Sequence, residues 1–332
     1  MTIADRARAV ADVALETTVI GSFSRLGIAA RRALFSWDAE PLPDLTGRVS
    51  LVTGATGGLG LSAARMLAAL GSEVWIVGRD RARTDAAQRA IVDAVPNARI
   101  NSAIADLAVF DDVRRCAREV LQTATRLDVL VHNAGALTHE LSRTVDGLEL
   151  TAQVHVASPF LLTTKLLPLL RSTGGARVIT VSSGGMYTQR LDVAALDAPP
   201  MPFKGAQAYA NAKRAQVVLN DRWSRHPLGA GIAFLAMHPG WAATDGTRTA
   251  LPRFNRIMGP LLRTADEGAD TMVWLAGAPA ALLPNGSFWL DRRPRATSPL
   301  PWTRTSDTAA EQLWQWCEQR AGTRSTDAGE AP

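Results

Sequence analysis

From Arg48 onward, short, largely apolar and β-branched runs alternate with longer alanine-rich stretches. The runs are Val49–Val52, Val74–Val77, Ile100–Ala105, Leu127–Val131, Val178–Val181, Ile232–Met237 and Ser287–Leu290. A strand with one wet face alternates apolar and polar residues, whereas a strand covered on both faces is apolar throughout. The pattern therefore predicts about seven parallel strands. Stretches between them, such as Leu61–Leu70 and Asp111–Thr123, predict the right-handed helical crossovers that parallel strands require. The expected fold class is α/β, a doubly wound parallel sheet with helices on both faces.

The two ends differ from this middle. Val19, Phe23, Leu26, Ala30, Ala33 and Trp37 recur at spacings of three and four, one apolar stripe on a helix. Residues 1–46 are thus expected to be a helical extension packed on the main domain. With Arg25, Arg31 and Arg32 on its other sides, the segment 18–37 has an alternative reading as a weak membrane-surface contact. Pro41 and Pro43 break the chain before a single domain over 47–300. Residues 301–332 are expected to hold a terminal helix, Ala309–Arg320, burying Leu313, Trp314 or Trp316, and then a disordered polar tail from about Gly322.

Composition removes several partners. The net charge is +5 over 332 residues, but Arg and Lys are scattered among acids without a basic run, so no nucleic-acid partner is predicted. Only Lys165, Lys204 and Lys213 are lysines. Cys116 and Cys317 offer neither a disulfide framework nor metal-ligand spacing, which predicts a reducing compartment and no metal. There is no apolar run of membrane-spanning length and no secretory signal pattern, so the expected location is cytoplasmic, with the membrane periphery as the alternative.

The first strand runs into Thr53-Gly54-Ala55-Thr56-Gly57-Gly58-Leu59-Gly60, followed at once by a helical stretch. Glycines there let the backbone turn tightly and approach a pyrophosphate, and the helix start offers unpaired N–H groups to it. A tight structural turn is the plain alternative, but the strand–turn–helix context favours a Rossmann-type dinucleotide site. An acid binding the ribose is expected about twenty residues on. Gly78 stands where it would be, followed by Arg79 and Asp80. A guanidinium can grip a 2′-phosphate, so NADP(H) is expected over NAD(H), the alternative being that Asp80 binds the ribose and Arg79 faces solvent.

Two tyrosines occur, and Tyr209 lies four residues before Lys213, an arrangement chance would give about 2% of the time. On a helix the two share a face. An ordinary phenol is a poor proton-transfer group at neutral pH, and a nearby ammonium is expected to lower its pKa. The strand Arg177–Val181 delivers Ser182 and Ser183 at its carboxyl end, the layer where ligands bind in such sheets.

These residues resemble the short-chain dehydrogenase/reductase family over roughly 47–295. The likeness covers the turn with Gly54, Thr56, Gly57, Gly58, Leu59 and Gly60, and Asp106-Leu107, where the Asp is implied to contact adenine. It also covers Asn133-Ala134-Gly135, the serine Ser183, the pair Tyr209 and Lys213, and Pro239-Gly240 through Thr244, implied to meet the nicotinamide end. More narrowly, Arg177–Met186, Met237–Ala242 and Gly268–Leu275 resemble the branch of dehydrogenase/reductase SDR family member 12. One departure stands out: the family's fourth catalytic residue is an asparagine, and His155 holds that place in His155-Val156-Ala157-Ser158-Pro159-Phe160. Asparagine there helps shape a kinked helix that holds a relay water. His155 keeping the water through its ring, with Pro159 supplying the kink, is one reading; a broken relay is the other.

The segment 244–263 is expected to be a substrate lid, apolar through Leu251, Pro252, Phe254, Ile257, Met258, Pro260 and Leu261, which points to a lipophilic carbonyl or alcohol. Thr264-Ala265-Asp266-Glu267 has a capping-box pattern, so a helix should restart there. The sequence thus predicts an NADP(H)-dependent oxidoreductase with Tyr209 as general acid/base. An NADP-binding regulatory or scaffold protein of the same fold is the alternative, and homo-oligomerisation is left open.

Overall fold

The computed structural model describes residues 3–39, 42–243, 256 and 258–323. Three helices, α1 (Ile3–Glu16), α2 (Val19–Phe23) and α3 (Arg25–Leu34), form an N-terminal arm. There follow β1 (Val49–Thr53), α4 (Gly58–Ala69), β2 (Glu73–Gly78), α5 (Arg81–Ala94), β3 (Ile100–Ile104), α6 (Phe110–Thr123) and β4 (Val129–His132). A helical turn, α7 (Leu150–Ala152), passes through a π-helical segment, Gln153–Ala157, into α8 (Ser158–Thr173). Then come β5 (Arg177–Val181), α9 (Ala194–Asp197), α10 (Gly205–Arg225), β6 (Ala233–Met237), α11 (Ala265–Gly277), β7 (Phe288–Leu290), β8 (Arg293–Arg295) and α12 (Asp307–Ala321).

The strands make one sheet in the order β3-β2-β1-β4-β5-β6-β7-β8, parallel except for β8. Strand order reverses between β1 and β4, which opens a crevice beyond their carboxyl ends. One face is covered by α4, α5 and α11, with Leu67, Ile91 and Met272 in the core. The other is covered by α6, α8, α10 and α12, with Val113, Leu166, Leu219 and Leu313. The capping box at Thr264 and Glu267 forms, and Leu313, Trp314 and Trp316 of α12 are all buried. An eighth strand, Arg293-Pro294-Arg295, exceeds the seven expected, because nothing in it is apolar. Among the described residues no helix is long and apolar enough to cross a membrane.

The arm departs from its expected stripe. Ser24 is extended, with φ −82° and ψ 175°, so α2 and α3 are separate helices and the helical register is lost between them. Val19 and Leu26 face outward, 57% and 61% exposed, while Gly27, Ile28 and Arg31 face the core. Arg31, expected on a polar side, is fully buried.

Its charge is matched inside the protein. Arg31 meets Asp291 at 2.7 Å, Asp12 at 2.8 Å and Glu16 at 2.9 Å. Asp291 also accepts from Arg263 at 2.6 and 2.9 Å, and Arg295 pairs with Asp12 at 2.8 Å. Asp291 and Arg292 form the β7–β8 turn, both with positive φ (53° and 55°), as a two-residue hairpin of this kind requires. Neither is the glycine or asparagine that favours that conformation. Ion pairs hold them: Asp291 between two arginines, and Arg292 against Asp270 at 2.6 Å and over the Trp37 ring at 4.4 Å. Burial tends to raise the Asp12 carboxyl's pKa, but hydrogen bonds from Arg295 and Arg31 prevail and hold it below its ordinary value.

Removing one partner of a buried ion pair strands the other. Asp291→Ala is therefore expected to cost about 3–5 kcal/mol of unfolding free energy in a denaturant titration. A loss within about 0.5 kcal/mol, typical of surface positions, would show that the cluster does not hold the arm.

Candidate active site

The turn after β1 is pinned from two sides. The Gly54 and Ala55 amides donate to the Val77 carbonyl of β2 at 2.8 and 3.2 Å. From β4, the Asn133 side-chain amide donates to the Thr53 and Gly54 carbonyls at 2.9 and 3.3 Å. Thr53 Oγ1 in turn accepts from the Asn133 and Ala134 amides, each at 3.1 Å. Asn133 and Ala134 thus brace the turn. A Cβ on Gly60 would lie 2.3 Å from the Gly54 carbonyl oxygen, so the helix can follow this closely only with glycine. At Gly57 a Cβ would meet nothing within 4 Å, which leaves the space before the helix open. No side chain caps α4, so its first amides are available to a pyrophosphate. The residues present fit a dinucleotide.

At the end of β2, Gly78 is buried, and a Cβ there would come 2.3 Å from Thr84 Oγ1 and 2.4 Å from Thr56 Cγ2. No acidic side chain can occupy this place. Asp80 is the N-cap of α5 and accepts from the Arg83 amide at 2.8 Å. Arg79 is exposed. Asp106 Oδ1 accepts from the Ala108 amide at 2.9 Å, and the buried Leu107 accepts from Ser158 Oγ at 2.6 Å through its carbonyl.

The carboxyl end of β5 and the first half of α10 bring the polar groups together. Ser182 and Ser183 follow β5. Ser182 is buried and donates to the Lys213 carbonyl at 2.9 Å, anchoring α10. Ser183 is hydrogen-bonded to the Tyr209 phenol. Lys213 is buried, with Nζ donating to the Val181 carbonyl at 2.8 Å and lying 5.4 Å from the centre of the Tyr209 ring.

The electrostatics correct the expectation that Lys213 lowers the Tyr209 pKa. Burial pushes the phenol up, with only the Ser183 hydrogen bond opposing it. Burial also pulls the Lys213 amine down to about 7. A low-dielectric site disfavours charge on both groups. At neutral pH the tyrosine is a protonated donor, and the lysine is the group that titrates.

His155 closes this arrangement from the π-helical segment. Its ring lies edge-on to Tyr209 at 5.3 Å between centroids. Nε2 is 3.0 Å from the Ala136 amide nitrogen and 2.9 Å from its carbonyl oxygen, which fixes the ring. Gly135 leaves room for it, since a Cβ there would lie 2.7 Å from His155 Cε1. Burial, then the nearby Lys213 charge, hold the imidazole well below its ordinary pKa and thus neutral. The expected kink exists as the π-turn, in which the Ser158 amide reaches back to the Gln153 carbonyl. Pro159 has no N–H, so the His155 carbonyl lacks its α-helical donor.

Beyond β6, Pro239 and Gly240 are half-buried, and Gly240 has φ 72°. Here the arm enters the site, which the sequence did not foretell. The Phe23 carbonyl accepts from the Trp241 amide at 2.8 Å and from Arg263 Nε at 3.0 Å. The Phe23 ring packs on His238 at 4.6 Å and Trp241 at 5.8 Å. A Cβ on Gly184, next to Ser183, would be 2.7 Å from that ring. Phe23 was legible only as one member of an apolar stripe. Thr244 and the expected lid lie outside the described residues, apart from 256 and 258–263.

Comparison with known proteins agrees with this geometry. Residues 48–253 match the family profile described as short chain dehydrogenase. Dehydrogenase/reductase SDR family member 12 of Bos taurus is 41% identical over 268 residues, 80% of this chain and 83% of that protein. An uncharacterised protein of Mycobacterium paratuberculosis superposes with a TM-score of 0.69 at 29% identity, covering 86% of this chain and 97% of the other. Pseudomonas aeruginosa RhlG, solved as an NADP active-site complex, superposes with a TM-score of 0.59 at 30% identity over 74% of this chain and 94% of its own. The chain belongs to the short-chain dehydrogenase/reductase family and is an NAD(P)-dependent oxidoreductase.

Proposed function

We propose that the protein transfers hydride between NADP(H) and a lipophilic carbonyl or alcohol, with Tyr209 as general acid/base. The observation that carries this reading is the convergence of Ser183, Tyr209 and Lys213 beyond β5, beside a turn open at Gly57. NADPH would lie along the crevice from the glycine turn toward Tyr209 and supply the hydride. Ser183 and Tyr209 then hold the substrate oxygen. In reduction the phenol gives its proton to that oxygen, and Lys213, poised near neutrality, returns a proton to the phenolate. In oxidation the transfers reverse.

The cofactor preference rests on the filled space at Gly78 and the engaged Asp80, which leave Arg79 to meet a 2′-phosphate. Lipophilic substrate preference rests on the apolar lid sequence and on Phe23, which lies beside Gly184 and packs on Trp241. His155 in place of asparagine favours one other reading, a cofactor-binding protein with little turnover and a regulatory or scaffold role. The outward Val19, Ile20 and Leu26 favour a peripheral membrane contact through the arm.

With the carbonyl that the enzyme reduces fastest in an NADPH-oxidation panel, Tyr209→Phe is expected to lower kcat by about 10²–10⁴-fold. Turnover in reduction is expected to fall as pH rises through about 7, where Lys213 loses its proton. Full activity in Tyr209→Phe would remove Tyr209 as the general acid/base, and no turnover of any carbonyl would favour the non-catalytic reading. Arg79→Ala is expected to weaken NADPH binding about 10–100-fold in a fluorescence titration and to leave NADH unchanged; equal losses would remove the preference. In flotation with anionic liposomes the intact chain is expected to rise with the vesicles and Leu26→Glu to stay behind; identical behaviour would dismiss the membrane contact.

A further inference from the structure

The N-terminal arm lies ahead of residues 48–253, the stretch that matches the family profile. Its Phe23 nonetheless reaches the neighbourhood of Ser183. A Cβ on Gly184 would lie 2.7 Å from Phe23 Cε2, 3.2 Å from Cζ and 3.3 Å from Cδ2, so one edge of the ring rests on the Gly184 backbone. Successive Cα atoms are about 3.8 Å apart, which puts that edge within about 8 Å of the Ser183 Cα. A Cβ on Gly185 would meet, outside its own chain neighbours, Ser183 Oγ at 3.8 Å and the Ala210 side chain at 3.9 Å. Room is thus left beside the Ser183 hydroxyl, and the Phe23 ring stands at its side.

A ring in this place could simply hold the arm to the domain, but other groups do that. Arg31 is fully buried among carboxylates and Ile28 is buried with it, whereas Phe23 is half-buried. Phe23 is fixed through its backbone instead, its carbonyl accepting from the Trp241 amide and from Arg263 Nε. The two segments it grips are also joined to each other. The Arg263 amide donates to the Trp241 carbonyl at 2.7 Å, and the Ala243 amide to the Arg263 carbonyl at 2.9 Å. The ring is then set edge-on to His238 and Trp241, with planes 76° and 85° apart. A half-exposed aromatic ring held this firmly offers a flat apolar surface to a ligand.

We infer that Phe23 is the specificity-determining residue of the site: its ring is the wall on which the substituent of the reacting carbonyl packs, and it limits how wide that substituent can be. The inference rests on the oxidoreductase reading above and names the substrate class within it. With the carbonyl oxygen held at Ser183 and Tyr209, a substituent one ring long spans the distance to Phe23. Gly184 and Gly185 carry no polar side chain toward it, so an aryl aldehyde or ketone is the class that fits. A second fused ring would run into the wall. Phe23 touches no reacting atom, so it acts on fit and not on hydride or proton transfer.

Benzaldehyde and naphthaldehyde, which share a carbonyl and differ by one fused ring, test this in the full chain with saturating NADPH. The wild-type protein is expected to prefer benzaldehyde. Phe23→Ala is expected to raise the naphthaldehyde-to-benzaldehyde ratio of kcat/KM about tenfold, chiefly by lowering KM for the wider aldehyde, with kcat for benzaldehyde close to wild type. Phe23→Trp keeps an aromatic ring against His238 and adds width, and is expected to lower the ratio. Shifts of opposite sign do not come from a loosened fold, and if Phe23→Ala fails to fold, the sign of the Phe23→Trp shift decides. An unchanged ratio in a folded variant, or equal losses on both aldehydes, would make the ring merely structural and overturn the wall alone. Turnover of other lipophilic carbonyls but of neither aldehyde would do the same. No NADPH oxidation with any carbonyl would remove the oxidoreductase reading and the wall with it.

Discussion

A primary amine has been taken out of water at the end of β5, and the chemistry of the site follows from that burial. Lys213 keeps one hydrogen bond, to the Val181 carbonyl, and its pKa falls to about 7. The same exclusion of water keeps Tyr209 protonated. Two groups that in solution would both hold their protons firmly at pH 7 are thereby brought to a state in which one donates and the other resupplies. Their fixed relation depends on α10, held to β5 by the Ser182 hydroxyl on the Lys213 carbonyl.

The arm contributes to the same region from the other side. It lies ahead of the segment that matches the family profile, yet its Phe23 sits beside Gly184 and Trp241. The buried charges around Asp291 hold it there and at the same time stabilise the left-handed turn between β7 and β8. Stability and the shape of the site mouth are therefore coupled, since loosening Arg31 or Arg263 loosens the wall next to Ser183.

The sheet was legible because strands covered on both faces are largely apolar, with only single polar residues such as Ser50 and Thr180 in the central ones. The strand Arg293-Pro294-Arg295 escaped, since its residues face an ion cluster and solvent. The phosphate turn, Ser183, Tyr209 and Lys213 were readable as motifs, because local chain order sets their spacing. The balance of pKa effects was not, because it depends on how completely the fold excludes water. In the arm, the helical stripe failed at Ser24, where one extended residue rotates α3 relative to α2. Arg31 could not be foreseen as buried, because Asp291 lies 260 positions away. His155 was visible as a departure; the small cavity beside it was not, because its lining comes from β4, β5, β6, α8 and α10 as well.

The proton poise of Lys213 is directly observable. The chain has three lysines, so a nitrogen-15 NMR titration of side-chain amines gives three signals to assign. One should titrate near 7 and vanish in Lys213→Met. If the signal lost in Lys213→Met titrates above 10, the amine at position 213 is not held out of water, and the account of how Tyr209 is resupplied is wrong.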